Sequence, residues 1–259
     1  MNHQTIAKLQ ALNQQFYQQV AYDFNQSRQY AWKGWEQLLP WLTSSFELQL
    51  LTINQQSSLQ LLDLGCGNAR FAKFIDQYFS KLGIQYLGVD NQTQLLTYAQ
   101  NLTSKLNIQS ELVKLDLISS LIKQQLTQAL TNKYHLITMF GLLHHIPSYT
   151  LRQSLFDSAC QLLDKNGILI VTSWQFIHDK RLPTKIVDPK KLKIQAKNLD
   201  PHDYILSWNK GVTAYRYCHY TDQAELEKLI DRARLKIKDS FFADGKSGLL
   251  NQYVICAKR

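Results

Sequence analysis

The strongest constraint on this chain is the join at residues 59–78. Leu59 to Leu64 is an apolar run that reads as a fully buried strand, and it ends in the turn Gly65-Cys66-Gly67. Directly after the turn, Phe71, Ala72, Phe74, Ile75 and Tyr78 recur at helical spacing. A strand, a Gly-x-Gly turn and a helix start make a cradle for an adenosine-bearing ligand. The glycines let backbone approach the ligand, and the helix N-terminus offers free N–H groups. A dinucleotide fingerprint needs a third glycine three residues after the second. That position is Arg70, so the pattern is not met.

The downstream order supports the cradle. Ile84 to Val89 predicts a second strand that ends in Asp90, 23 positions after Gly67. This is where a doubly wound fold sets an acid on ribose hydroxyls, about 20 residues on. Glu111 to Leu115 predicts a third strand ending in Asp116, and Tyr134 to Phe140 a fourth, followed by Gly141-Leu142-Leu143-His144-His145-Ile146-Pro147. Leu162 to Gly167 turns into a fifth strand, Ile168 to Trp174. The Asp-x-Gly-x-Gly-x-Ala form of residues 63–69, with these landmarks in order, resembles motif I and its sequel in the class I S-adenosylmethionine (SAM) dependent methyltransferases.

That resemblance implies an α/β fold. It is a single Rossmann-like domain with a mostly parallel seven-stranded sheet, helices on both faces, and a seventh strand running antiparallel between the fifth and sixth. It implies SAM as cofactor, held by Arg28, Asp63, Gly65, Cys66, Gly67, Asn68, Arg70, Asp90, Asn91, Asp116, Leu117 and Phe140. Asp116 would bond the adenine amino group. Read without the family, the glycines are a tight turn, Asp90 caps the helix that starts near Gln92, and Asp116 ends a strand.

Helices are expected at 68–81, 92–106, 118–130 and 148–163, the last capped by Ser148. Thr221 is expected to cap a helix carrying Leu226, Leu229, Ile230 and Ala233, before closing strands at 235–242 and 251–257. Residues 1–45 form a helical prologue. Ile6, Leu9, Leu12, Phe16, Val20 and Phe24 recur three or four apart, and a second helix from Trp32 to Leu42 is bent or stopped at Pro40. Residues 46–259 are the expected catalytic domain, carrying a substrate-recognition insert at 177–220.

Four scattered cysteines, Cys66, Cys160, Cys218 and Cys256, show no metal-like pairing. They predict reduced thiols in a cytoplasmic protein and no metal. No apolar run approaches 18 residues and no secretory leader pattern opens the chain, so no membrane association is expected. Lys and Arg total 29 against 20 Asp and Glu, a formal charge of +9. The excess concentrates in the insert at Lys180, Arg181, Lys185, Lys190, Lys191, Lys193 and Lys197, against Asp179 and Asp188. Such a cluster is either a solvated loop or a phosphate-binding surface.

A finer resemblance covers both ends of the chain. Phe24-Asn25-Gln26-Ser27-Arg28 with Trp32, Asp203 to Trp208, Arg216-Tyr217-Cys218-His219-Tyr220, Glu225-Leu226-Glu227-Lys228-Leu229 and Asn251 to Ile255 resemble segments of the tRNA wobble-uridine carboxyl methyltransferases. Ser207 stands in place of their proline and Cys218 in place of a tyrosine. The resemblance implies tRNA as partner, bound through the basic insert, with Arg216 and His219 orienting the acceptor and Trp32, Trp174, Tyr204, Trp208 and Tyr215 offering stacking faces. His144 is divided between pocket lining and general base, and His145 reads as structural. Tyr17 reads as helix packing. A small-molecule methyltransferase and a non-catalytic SAM-binding partner protein stay open beside the tRNA reading, and a small activating protein partner is not readable from the residues.

Overall fold

In the computed structural model, which describes residues 1–52, 58–179, 183–210 and 212–259, Leu59, Leu61, Leu62, Asp63 and Leu64 are all buried. A strand with no exposed face belongs in the middle of a sheet covered on both sides. The chain runs α1 (His3–Gln26), α2 (Lys33–Gln37), α3 (Leu39–Thr52), β1 (Leu59–Leu64), α4 (Arg70–Phe79), β2 (Ile84–Asp90), α5 (Thr93–Thr103), β3 (Gln109–Lys114), α6 (Leu117–Ile122), α7 (Leu126–Ala129), β4 (Tyr134–Met139), α8 (Tyr149–Leu162) and β5 (Leu163–Trp174). It continues through β6 (Ile186–Val187), β7 (Asp203–Lys210), β8 (Val212–His219), α9 (Gln223–Arg232), β9 (Leu235–Ala243) and β10 (Asn251–Lys258).

Seven strands form one sheet in the order β3-β2-β1-β4-β5-β10-β9. β1 to β5 are parallel neighbours, and β10 is antiparallel to both β5 and β9. This is the expected doubly wound order. The alternation of side chains along each strand divides the core. Leu62, Leu64, Ile137, Met139, Leu169 and Val171 meet α6, α8 and α9 on one face. Leu61, Leu136, Ile168, Ile170 and Ile255 meet the helices α2 to α5 on the other, with Trp35, Phe46, Phe71 and Phe74 as the large rings. The strand order reverses between β1 and β4, so the crevice at their carboxyl ends is where such a sheet binds ligands.

β6, β7 and β8 form a separate antiparallel sheet within the insert. α1 packs on it along its apolar stripe: Leu9 meets Ile194, Ile205 and Tyr217, and Phe16 and Val20 meet Ala214. Ile6 reaches the main core. α1 is thereby fixed across the open end of the large sheet.

Several local expectations are corrected. Pro40 opens α3 rather than ending a helix, since the break falls at Leu38 and proline is tolerated in a first turn. α3 continues past residue 45. The helix expected at 118–130 is two, because Gln124 takes φ +55° between them. Ser148 sits at φ +69° and makes no side-chain cap; the Tyr149 N–H donates instead to Asp200 Oδ2 at 2.9 Å. Asp222, not Thr221, caps α9, accepting from the Glu225 N–H at 2.8 Å.

Candidate active site

The glycine turn is built by backbone that only glycine enters freely. Gly65 and Gly67 have φ +76° and +57°. Asp90, at the end of β2, holds the turn in place: its Oδ2 accepts from the Gly67 N–H at 2.9 Å and its Oδ1 from the Gln92 N–H at 2.9 Å. Each oxygen retains acceptor capacity, so capping and hydroxyl binding are compatible. Burial raises the Asp90 pKa. Asp63 lies beneath the turn, with Tyr86 Oη and Thr138 Oγ1 donating to it at 2.8 Å each. Burial lifts its pKa to about 6 despite both bonds.

α1 and the segment after it form the roof. Asn68 Nδ2 donates to Asn25 Oδ1 at 2.8 Å and to the Arg28 carbonyl at 3.1 Å, tying the glycine turn to the end of α1. Arg28 packs 3.7 Å over the Phe24 ring. Arg70 Nη1 donates to the Tyr30 carbonyl at 3.2 Å, and its guanidinium lies 5.0 Å from the Trp32 ring. Burial lowers Arg28 to about 10 and Arg70 to about 9, and Arg28 repels Arg70 further. Two half-buried guanidinium groups that repel each other favour an anion between them.

Beneath this roof is a cavity of about 590 Å³, within the range of small-molecule sites, ~300–1,000 Å³. Arg28, Asp63, Gly65, Cys66, Gly67, Asn68, Arg70, Asp90, Asn91, Asp116, Leu117, Phe140, His144 and Arg216 all line it. Asp116 also caps α6, accepting from the Ser119 N–H at 2.9 Å, and takes amide bonds from Gln10 at 2.5 Å and Gln14 at 3.1 Å. Cys66 is buried, which raises its thiol pKa well above the usual value.

A family profile described as "Methyltransferase domain" matches residues 55–234. The chain belongs to this methyltransferase family. A SAM-dependent methyltransferase from Clostridium acetobutylicum superposes with TM-score 0.60 at 15% identity, covering 93% of this chain and 98% of that one. One from Methanosarcina mazei gives 0.58 at 17%, covering 78% and 93%. The Synechocystis magnesium protoporphyrin IX methyltransferase with bound SAH (S-adenosylhomocysteine) gives 0.58 at 14%, covering 96% and 99%. No curated protein sequence matches. The enzyme is a SAM-dependent methyltransferase, and the cavity residues suit that cofactor: Asp90 for ribose hydroxyls, Asp116 for an adenine amine, and Arg28 with Arg70 for a carboxylate.

The other end of the methyltransferase cavity carries His144, His145, Trp174, Tyr17 and Arg216. Arg216, from β8, lies 4.8 Å over Trp174 and 5.2 Å over Phe16. His144 is 7% exposed and its Nδ1 has no partner among the described residues. Burial, then the neighbouring His145 and Arg216, push its pKa well below the usual histidine value. Burial and Arg216 hold His145 down to about 3. Both rings are therefore neutral at pH 7. His144, His145 and Cys218 bring donor atoms within 4.8 Å of one another. The two nitrogens of His145 are spent on Asn13 and Tyr17, and nearby arginine charge opposes a cation, so His144 and His145 are polar lining and Cys218 is a buried thiol outside it.

His219 is a correction: it does not line the cavity. It is 1% exposed, bonded at 2.8 Å to Asp203 through Nδ1 and to Glu225 through Nε2. Its ring joins β7 and β8 to α9, and two carboxylates on one imidazole raise its pKa against the cost of burial. Of the expected stacking faces, Trp32 is in the roof and Trp174 in the cavity, whereas Tyr204 packs on Phe176, Trp208 on Phe16 and Tyr215 beside Leu9. Lys190, Lys191, Lys193 and Lys197 are exposed, Lys185 is half-buried, and none lines the cavity; Lys180 and Arg181 fall outside the described residues. Sequence reading missed Gln10, Asn13 and Gln14 of α1, and Asp244, which accepts from the Gly34 N–H, Asn251 and Tyr253 behind the roof. Only Asp244 carried a signal, the turn dipeptide Asp244-Gly245.

Proposed function

We propose that the methyltransferase esterifies a carboxylate, and that the carboxylate is carried by tRNA, on a modified wobble uridine. The observation that supports this best is the Arg216 guanidinium at the acceptor end, stacked on Trp174 beside two histidines held neutral. SAM, when bound, supplies an electrophilic methyl group on a positively charged sulfur. A carboxylate is ionised at pH 7 and needs no base. Arg216 would hold one face of it, braced by Trp174 and Phe16, so that an oxygen lone pair points along the cavity. The α1 roof would exclude water and strengthen that attraction.

Support for tRNA comes from the segments that resemble the wobble-uridine enzymes. Residues 24–32 end at the cavity through Arg28, residues 203–208 and 216–220 are paired strands β7 and β8, and their Asp203 and His219 bond each other. The exposed lysines of the insert would neutralise phosphates. A second reading, a free small-molecule acceptor, is favoured by the size of the cavity and by the porphyrin named for the Synechocystis neighbour.

The test is methyl transfer from labelled SAM into unfractionated tRNA and, separately, into a tRNA-free metabolite extract. Mild alkali releases label from esters but not from nitrogen, carbon or ether oxygen. Alkali-labile label on a uridine nucleoside supports the proposal. Alkali-labile label only in the extract gives the second reading, and alkali-stable label rejects carboxyl transfer.

A further inference from the structure

We propose that Asn13, His145 and Tyr17 form a hydrogen-bond relay of fixed direction, which leaves the Tyr17 hydroxyl as a donor to the acceptor carboxylate beside Arg216. This deepens the carboxylate reading and rests on it. The direction follows from which atoms can only donate. The Tyr217 backbone N–H donates to Asn13 Oδ1 at 2.8 Å, which fixes the orientation of the amide. Asn13 Nδ2 then faces His145 Nδ1 at 3.2 Å, and an amide nitrogen has no lone pair to offer. Nδ1 must accept, so the neutral ring carries its proton on Nε2. Nε2 lies 2.7 Å from Tyr17 Oη and donates to it.

Arg216 brings its positive charge to the same part of the cavity, stacked on Trp174 and Phe16. The phenolic oxygen thus accepts from Nε2, and its own proton is free to point elsewhere. Tyr17 is itself cavity lining, with Arg216, Arg28 and His144 around the same space. The Arg216 guanidinium and an outward O–H define a receptor for an anion. Arg28 and Arg70 are the groups assigned to the cofactor carboxylate, so the acceptor receptor is Arg216 with the Tyr17 hydroxyl.

Two variants test the relay. Tyr17→Phe removes the donor. Asn13→Asp accepts the Tyr217 N–H as before but presents only acceptors, so it reverses the His145 tautomer and turns the Tyr17 O–H toward Nε2. Both should raise the acceptor KM roughly ten- to hundredfold, with unchanged SAH affinity by calorimetry and unchanged Tm. The acceptor is whichever fraction, tRNA or extract, takes alkali-labile label from the wild type. The double variant should be no worse than Tyr17→Phe alone, a coupling that a packing role does not produce. Wild-type ester formation with unchanged KM in both variants overturns the relay while leaving carboxyl transfer standing. Weakened SAH binding with unchanged acceptor KM assigns the hydroxyl to the cofactor and also overturns it. If the wild type forms no ester in either fraction, the carboxylate reading fails and the relay falls with it.

Discussion

Asp90 Oδ2 accepts from the Gly67 N–H at 2.9 Å, so the acid after β2 and the glycine turn after β1 are one device. The same carboxylate that fixes the turn faces the cavity where ribose hydroxyls belong. Asp90→Ala should therefore weaken SAM by about 1–3 kcal/mol for the lost charge-assisted bonds, with a further loss from the loosened turn. Asp90→Asn keeps one acceptor and should fall between. Calorimetric titration with SAM and SAH on both variants checks the order.

Asp63 sets a pH dependence of opposite sign to an ordinary paired carboxylate. Its folded pKa is about 6, above the usual 3.8, so between those values the folded state holds a proton that the unfolded chain has lost. Stability accordingly falls as pH rises through that window, by on the order of 2–3 kcal/mol. Asp63→Asn should remove this slope, since the hydroxyls of Tyr86 and Thr138 can turn to suit an amide. Urea unfolding at pH 4 and pH 7 measures it, and a slope unchanged in the variant would sink the assignment.

The glycine turn, Asp90 and the succession of strands and helices were legible because they depend on local spacing along consecutive elements, whereas the sheet order came only from the family resemblance. The roof was only half legible. Arg28 stood out in a segment with a family likeness, but Gln10, Asn13 and Gln14 lie in a helix rich in similar amides, and nothing local marks which of them face the cavity. The pairing of Arg216 with His219 as joint acceptor ligands fails on geometry. Residues three apart on a strand point to opposite faces, and β8 sends Arg216 to the cavity and His219 into the core. Thr221 and Asp222 are both good cap types, and only the path of the chain chose between them.

His219 instead carries a structural prediction. Its folded pKa is raised, so its contribution is fully present below the unfolded value of 6.5 and is lost as pH climbs through the folded value. Glu225, lowered chiefly by its bonds to His219 and Arg152 against burial, loses its contribution as pH falls. His219→Ala takes one donor from buried Asp203, which keeps the Tyr217 hydroxyl and the Asp200 N–H, and should cost about 1–3 kcal/mol in stability. SAH affinity of the folded fraction should hold, because the network lies outside the cofactor cradle. Denaturation and calorimetry together separate the two effects.

The insert gives a salt-dependence prediction. Lys190, Lys191 and Lys193 are exposed and outside the cavity. If they meet tRNA phosphates, their triple alanine variant should weaken tRNA binding and flatten its log–log salt slope by roughly 0.7–0.9 for each phosphate left without its lysine. Methylation of a small carboxylate acceptor, by contrast, should be untouched. A wild-type slope in the variant would make this a solvated loop.

The decisive kinetic contrast is between Arg216 and His144. His144 is buried, neutral and lowered well below the usual histidine pKa, a poor general base at pH 7. His144→Ala should keep substantial kcat at saturating cofactor and acceptor, and the wild-type rate should show no titration near a pKa of about 6.5. Arg216→Ala should lose far more, because the guanidinium stacked on Trp174 is the charge proposed to hold an anionic acceptor in line. Arg216→Lys should recover charge but not the planar bidentate grip, leaving an intermediate rate. Inactive but folded His144→Ala, with Arg216→Ala near normal, would reverse the assignment and point to base-assisted transfer to a nitrogen, carbon or hydroxyl acceptor.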